Sequence, residues 1–135
     1  MIRAQELRIG NFVMVNGEIE EIFGICEDYP FLKTAKYGAR VIEYRDLDPI
    51  TLTEEWLLKH GFFVENFDYS IPISECKVVW LTLIPQDEEC TAYSVCVTQT
   101  DEDEDDQNVF LSDISYVHQV QNLIFALTQE ELKLN

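Results

Sequence analysis

The residues of this sequence with the clearest chemical potential form a run of six carboxylates between two apolar stretches. A calcium loop of the EF-hand type requires glycine at its sixth position and a bidentate glutamate at its twelfth. Counted from Asp101, those positions hold Asp106 and Ser112, which excludes an EF-hand. Because carboxylates are costly to bury without partners, we predict a solvated hairpin tip that also protects a sheet edge from aggregation. The run consists of Asp101, Glu102, Asp103, Glu104, Asp105 and Asp106.

Two functional interpretations of this run stay open beside the solvated tip. Weak, non-specific binding of divalent cations needs little more than several carboxylates. Mimicry of nucleic acid needs carboxylates with a rigid, phosphate-like spacing, and further acids at 87–89 and at Asp113 would extend such a surface. A loop supplies the charge without the rigid spacing, so we expect neither a metal site nor a mimic.

Two histidines and one cysteine are the remaining candidates for catalysis. A side chain that titrates near neutral pH, as histidine does, is the usual general acid or base. His60 falls at the end of a predicted helix, where we expect it near the surface, with its charged form favoured by the helix dipole. Pairing of His118 with Cys96 as a nucleophile stays open, although no spacing favours it. We therefore assign no catalytic residue.

A second predicted helix carries a polar face formed by His118, Gln121, Asn122 and Phe125. The simplest interpretation of this face is a solvent-exposed helix surface. An exposed phenylalanine beside amide side chains is also typical of recognition surfaces. We therefore predict that these four residues contact a protein partner.

Recognisable cofactor and nucleophile motifs are absent from the sequence. It contains no Walker A motif, no G-x-G-x-x-G, no G-x-S-x-G and no H-E-x-x-H. We expect no cofactor and no enzymatic activity. A small enzyme that uses His60 or His118 with nearby carboxylates is retained as an alternative.

The charge of the chain argues against nucleic acid and anionic membranes as partners. Its formal net charge is −17, and residues 61–135 hold 2 basic and 15 acidic side chains. Phosphate binding depends on lysine and arginine, which displace counterions. A basic and aromatic segment at 33–45 could bind nucleic acid if it lay on a small barrel, but the global charge opposes this. Its members are Lys33, Lys36, Tyr37, Arg40, Tyr44 and Arg45.

Cysteine usage and apolar run lengths predict a soluble, cytoplasmic protein. The four cysteines form no C-x-x-C pair, so we expect free thiols packed as small apolar groups. No apolar run approaches the roughly 20 residues that a membrane helix needs. The first residues, MIRAQELRIGNF, lack the apolar segment of a signal peptide.

The N-terminal pattern predicts a small, strongly bent sheet or an SH3-like barrel. Asn16-Gly17 between two apolar runs favours a two-residue hairpin turn, because glycine and asparagine tolerate positive φ. Alternation breaks at Glu21 and Ile22, where a bulge is expected. The predicted strands are 12–15, 18–26, 31–35 and 40–44.

The remainder of the chain predicts a helix, a hairpin sheet and a final helix. Thr53 can cap a helix that ends near Gly61. The strands predicted after it are 76–84, 91–99 and 108–112, and the last helix is 115–127. We predict an α+β fold in a single domain with two lobes, about 1–48 and about 49–135. A two- or three-stranded antiparallel sheet covered by the C-terminal helix forms the second lobe.

Three stretches resemble a family of short, uncharacterised bacterial proteins associated with prophages and other mobile elements. They are IRAQELRIGNFVMVNGEIEEIFGI, TLTEEWLLKHGF and YVHQVQNLIFALTQEEL. The resemblance implies a bacterial cytoplasmic setting and a phage or mobile-element accessory role, and it carries no activity or site residue. The sequence departs from that family at Gln129, where glycine is expected, and in the acidic run.

The residues favour a non-enzymatic protein-binding or adaptor function. An acidic, nucleic-acid-mimicking inhibitor of a basic protein is the first alternative, and a small enzyme is the second. We expect a protein partner, no direct contact with nucleic acid and no membrane association.

Overall fold

The computed structural model of the chain describes residues 2–25, 30–34, 38–74, 79–89, 91–101 and 104–131. The fold is α+β, as predicted. It consists of a four-stranded antiparallel sheet, a short helix, a five-stranded antiparallel sheet and a C-terminal helix. The chain divides into two compact units. The first unit is Met1–Thr51 with Tyr116–Leu123, and the second is Leu52–Ser115 with Ile124–Asn135. The predicted lobes differ from these units in the placement of the C-terminal helix.

The sheet of the first unit has the strand order β1-β2-β3-β4. The turn between β1 and β2 is the predicted Asn16-Gly17 pair, with φ of 52° and 81°, the positive values that such a two-residue turn requires. A register shift between Ile22 and Gly24 confirms a bulge close to the expected place. The strands are β1 Phe12–Val15, β2 Glu18–Ile25, β3 Pro30–Thr34 and β4 Gly38–Val41.

Among the described residues this sheet is open, so the bent-sheet alternative fits better than a closed SH3-like barrel. A 3-10 helix at Tyr44–Asp46 follows β4 and returns the chain to β1. There Met14 and Asp48 exchange two backbone hydrogen bonds of 2.9 and 2.8 Å as an isolated bridge. This single bridge adds no further strand to the sheet. The core beneath the sheet contains Ile2, Leu7, Val13, Val15, Ile22 and Leu47.

The second unit begins with helix α1, Glu54–Lys59. Its N-cap is Thr53, as predicted, and the hydroxyl of Thr53 accepts a hydrogen bond from the Trp56 N–H. Lys59 pairs with Glu55 at 3.0 Å, one turn away. A cap of this kind stabilises a short helix by about 1 kcal/mol.

The sheet of the second unit has five strands in the order β5-β6-β7-β8-β9, where two or three were predicted. The missed strands, β5 and β6, are joined by Asn66 and Phe67, whose φ angles are 51° and 72°. The sequence hid this hairpin because phenylalanine occupies the second turn position, where glycine is favoured. The strands are β5 Phe63–Glu65, β6 Asp68–Pro72, β7 Val79–Pro85, β8 Tyr93–Asp101 and β9 Glu104–Ile114.

The central strands of this sheet bury one of its faces, whereas Val64 and Val109 on its outer strands stay exposed. Paired residues on neighbouring strands point to the same face, so the register places Tyr69, Leu83 and Val95 in one row on the covered side. The rings of Tyr69 and Tyr93 meet edge to face, with centroids 6.1 Å apart. Burial of such rows supplies the main stabilising term for the unit. The buried residues of α1, of the sheet and of the segment that joins them include Leu57, Phe62, Tyr69, Leu81, Leu83, Tyr93 and Val95.

The C-terminal helix α2, Val117–Thr128, ends on a strained residue. Gln129 has φ of 62°, a left-handed conformation that costs most non-glycine residues about 1–2 kcal/mol. Its backbone N–H donates to the carbonyl of Phe125 at 2.7 Å. Its side-chain amide also donates to the carbonyl of Ala126 at 3.3 Å, which compensates part of the cost.

Replacing Gln129 with glycine is expected to raise the free energy of unfolding by about 0.5–1 kcal/mol, because glycine adopts positive φ without strain. Chemical denaturation of both proteins would measure the change. The matched control is Ala126→Gly in the exposed part of α2, which should lower stability by about 1 kcal/mol. A loss of stability in both variants would contradict this account of the helix end.

Candidate partner-binding surfaces

The polar face of α2 is covered in the first unit, contrary to our prediction. His118 and Gln121 are each only 1% exposed. The side-chain oxygen of Gln121 accepts a hydrogen bond of 2.9 Å from the Phe12 N–H, and its amide nitrogen donates to the Gly10 carbonyl at 3.0 Å. Gln121 therefore satisfies backbone groups of the segment that leads into β1.

Asn122 holds the same N-terminal segment through three further hydrogen bonds. Its oxygen accepts from the Asn11 side-chain amide at 2.7 Å and from the Arg8 Nε at 3.2 Å. Its amide nitrogen donates to the Glu6 carbonyl at 2.7 Å. The side-chain oxygen of Asn11, a buried residue, accepts in turn from the Arg8 N–H at 2.7 Å. The side-chain amides of Gln121 and Asn122 thus hold residues 6–12 against α2 through hydrogen bonds.

The predicted partner patch required the polar face of α2 to be exposed, and this hydrogen-bond network shows that the face is covered. A helical wheel identifies the polar face but not the chain segment that covers it, and here that segment is residues 6–12. A partner cannot contact Gln121 unless this segment is displaced. Phe125, the fourth member of the predicted patch, is half-buried.

Both histidines are buried, and among the described residues no group hydrogen-bonds to either ring. His60 was predicted near the surface in its charged form, and this prediction is wrong. It is 3% exposed and stacks on Trp56 with centroids 5.6 Å apart, and burial lowers its pKa from 6.5 to about 4. Burial also lowers the pKa of His118, and the negative charge of Glu6 opposes that shift. Both rings are therefore neutral at pH 7, without the partners that a general base normally has.

The acidic run lies at the end of the β8–β9 hairpin, where a charged tip was predicted. The loop expected over all six residues is wrong, because the strands extend into the run and pair Asp101 with Glu104. Glu102 and Asp103 lie outside the described residues, and the backbone of Asp105 and Asp106 belongs to β9. Among the residues that the structure describes, no three His, Cys, Asp or Glu side chains come together to hold a metal ion.

The basic and aromatic segment in the first unit is partly neutralised by carboxylates. Arg40 lies 3.9 Å from Glu20, and Arg45 forms an ion pair with Glu43. Lys36 and Tyr37 lie outside the described residues. The described basic side chains of this segment, Arg40 and Arg45, each lie beside a carboxylate, which weakens their attraction for a phosphate backbone.

The open face of the five-stranded sheet, opposite the covered one, exposes aromatic residues that were not predicted from the sequence. One row across the strands runs from Phe63 through Ser70, Thr82 and Cys96 to Phe110. The two phenylalanines at its ends are 61% and 66% exposed. This row could not be predicted from the sequence, because two of its strands, β5 and β6, were not predicted.

A shallow cavity of about 420 Å³ lies on this face beside Phe63 and Trp80. Their rings are 6.3 Å apart between centroids and meet edge to face. The floor carries hydroxyl groups: Ser70 and Thr82 hydrogen-bond at 2.9 Å, and Thr98 donates to Asn108 at 2.8 Å. Glu65 also lines the cavity, so aromatic rings, which are enriched at the centre of protein interfaces, stand beside a carboxylate here.

Cys96, in the same row, is a buried free thiol, which confirms the prediction for this cysteine. Its sulfur lies 3.6 Å from the hydroxyl of Thr98. The other three cysteines, Cys26, Cys76 and Cys90, lie outside the described residues.

Comparison with known proteins adds no relative: no family model, curated protein or solved structure matches the chain. Within the described ranges, none of the helices has the length and apolar character needed to cross a membrane. Any functional inference therefore depends on the surfaces described above.

Removal of the Gln121 side chain should destabilise the fold strongly. In Gln121→Ala the part-buried Phe12 N–H and the Gly10 carbonyl lose these hydrogen bonds, so the free energy of unfolding is expected to fall by about 2–4 kcal/mol. Urea titration would measure it. Gln5→Ala, at an exposed position of the same unit, is the control and should change stability by less than about 0.5 kcal/mol. Equal effects of the two substitutions would show that α2 does not hold the N-terminal segment.

Burial of His60 should make stability depend on pH. Because its folded pKa is about 4 and its unfolded value is 6.5, the unfolded chain binds more protons between these pH values. The part of the free energy of unfolding that depends on neutral His60 is fully present above pH 6.5. It is lost as the pH falls towards 4, by roughly 3 kcal/mol in total. Unfolding titrations at several pH values would compare the parent protein with His60→Phe, which keeps a ring against Trp56 and retains His118. Parallel pH profiles for the two proteins would refute the assignment to His60.

Proposed function

We propose that the protein acts without catalysis, by binding a basic protein through the open face of its five-stranded sheet. The observation that carries the proposal is the exposure of Phe63 and Phe110 at the two ends of one cross-strand row. Exposed aromatic residues favour docking, because their transfer from water is a large part of interface energy. Phe63 also contacts the half-buried ring of Trp80.

Charge selects the class of partner. By sequence, the second unit contains 17 acidic and 3 basic side chains, a net charge of −14. The first unit, with 9 acidic and 6 basic side chains, carries −3. A strongly negative unit attracts basic proteins over long distances and repels acidic ones. The basic partner follows from this imbalance, and the aromatic face supplies the contact.

The acidic inhibitor of a nucleic-acid-binding protein is the second candidate. It gains support from β8 and β9, because the backbone of Asp101 and Glu104–Asp106 belongs to these strands and Asp101 pairs with Glu104. The register shift between Gln99 and Asp101 means that the spacing along this part of the run is not that of a regular strand pair. A small enzyme has less support, because both histidines are buried. The bacterial, cytoplasmic and mobile-element setting implied by sequence resemblance stays a prediction.

The test is quantitative capture of proteins from a bacterial lysate by the immobilised chain, followed by mass spectrometry. We expect recovered proteins with high isoelectric points, and a loss of about tenfold in Phe63→Ser and in Phe110→Ser, since exposed aromatic residues anchor interfaces. Salt at about 0.5 M should weaken the capture, because it screens the steering charge.

The matched control for this capture is Ile9→Ser, which removes an apolar side chain that is 54% exposed in the first unit. It should leave recovery unchanged. Thermal unfolding of all three variants would verify that they remain folded. Recovery of mainly acidic proteins, or equal recovery by every variant, would reject the proposal.

A further inference from the structure

Strand β9 forms one edge of the five-stranded sheet, and among the described residues no strand lies beyond it. It is 11 residues long, Glu104–Ile114, and in the described part of the chain it pairs only with β8. Alternate residues of such an edge strand direct both their N–H and C=O groups away from the sheet. Natural proteins usually shorten, bend or cover so long an edge, because it can pair with another chain.

The middle of this edge is apolar and exposed. Val109, Phe110 and Leu111 are 60%, 66% and 41% exposed. Val109 pairs with Val97 and Leu111 with Val95, so both point towards the covered face of the sheet, whereas Phe110 points to the open face. An added strand would therefore meet apolar side chains on both faces.

The charge at one end of β9 distinguishes between possible occupants. The strand begins within the acidic run, at Glu104, Asp105 and Asp106. A second copy of this chain is disfavoured, because the pairing would bring together two molecules with a net charge of −17 each. A segment with lysine or arginine at one end would instead gain attraction from the run.

We propose that β9 accepts an extended segment of a basic protein as a sixth, antiparallel strand. The backbone of the segment would hydrogen-bond to the outward groups of β9, as in other cases of strand addition. Antiparallel pairing continues the rest of the sheet and places the C-terminal residues of the segment opposite Glu104–Asp106. Lysine or arginine should therefore follow the apolar part of the segment. This geometry rests on the proposed binding function and specifies how the partner docks.

Synthetic peptides test the geometry directly. The probe has five alternating threonine and valine residues followed by three arginines, and the control has the same composition in reverse order. A second control replaces arginine with neutral citrulline, and a third methylates alternate backbone amides. Fluorescence anisotropy would give Kd, and hydrogen exchange would identify the protected amides.

We expect the probe to bind about tenfold more tightly than the reversed and citrulline peptides, and the methylated peptide to lose binding, because charge and backbone pairing act together. Amides of residues 108–112 should become protected. Val109→Lys should weaken probe binding about tenfold, since a charged side chain on an edge strand opposes pairing. Val64→Lys, at a 47% exposed position on the opposite edge strand, is the control and should bind as the parent does.

Three results would overturn the proposal: equal binding of the methylated peptide, protection elsewhere than in β9, or sedimentation as a dimer that Val109→Lys dissociates. The last would assign the edge to a second copy. Failure of the peptides while Phe63→Ser still reduces capture of basic proteins would reject strand addition and leave the proposed function intact. Unchanged capture by Phe63→Ser would reject the open face independently of the peptides.

Discussion

A single antiparallel sheet can bury one face in its own unit, and the other face and the outer strands then meet water or a partner. In the second unit, Tyr69, Leu83 and Val95 occupy the covered face. The open face retains exposed Phe63 and Phe110 on the two outer strands, and in the described chain β9 has a long edge beside Phe110. Apolar surface is costly to keep in water, so large exposed patches of it commonly mark interaction sites. Partner binding by the second unit depends on this difference between the covered face and the open face of the sheet.

Polar side chains in this protein divide into those that build the fold and those that remain outside it. Gln121 and Asn122 belong to the first class, because their amides satisfy backbone groups of residues 6–12. The acidic run belongs to the second, since it stands at the end of a hairpin. A buried amide network specifies one arrangement of chain segments, because each donor and acceptor left unpaired would be costly. The polar residues of α2 therefore serve assembly of the first unit.

The sequence predicted elements whose signals are local. Asn16-Gly17 gave the first hairpin because both residues tolerate positive φ, and Thr53 gave the start of α1 because its hydroxyl can cap. The missed hairpin has Phe67 at a position with φ of 72°, so its turn chemistry is concealed. The polar face of α2 was misassigned because the segment that covers it lies more than 100 residues away in the sequence. Local chemistry thus gave the fold class, whereas the surfaces depended on long-range packing.

Backbone amide mapping of a complex with a captured basic protein tests the central claim most directly. In isotope-labelled protein, the account predicts that the signals of Phe63, Thr82 and Phe110 and of residues 108–112 change on binding. Signals from the first unit, including Ile9 and Ile19, should stay unchanged. Changes confined to the first unit, with none on the open face or on β9, would contradict the claim that the five-stranded sheet is the docking surface.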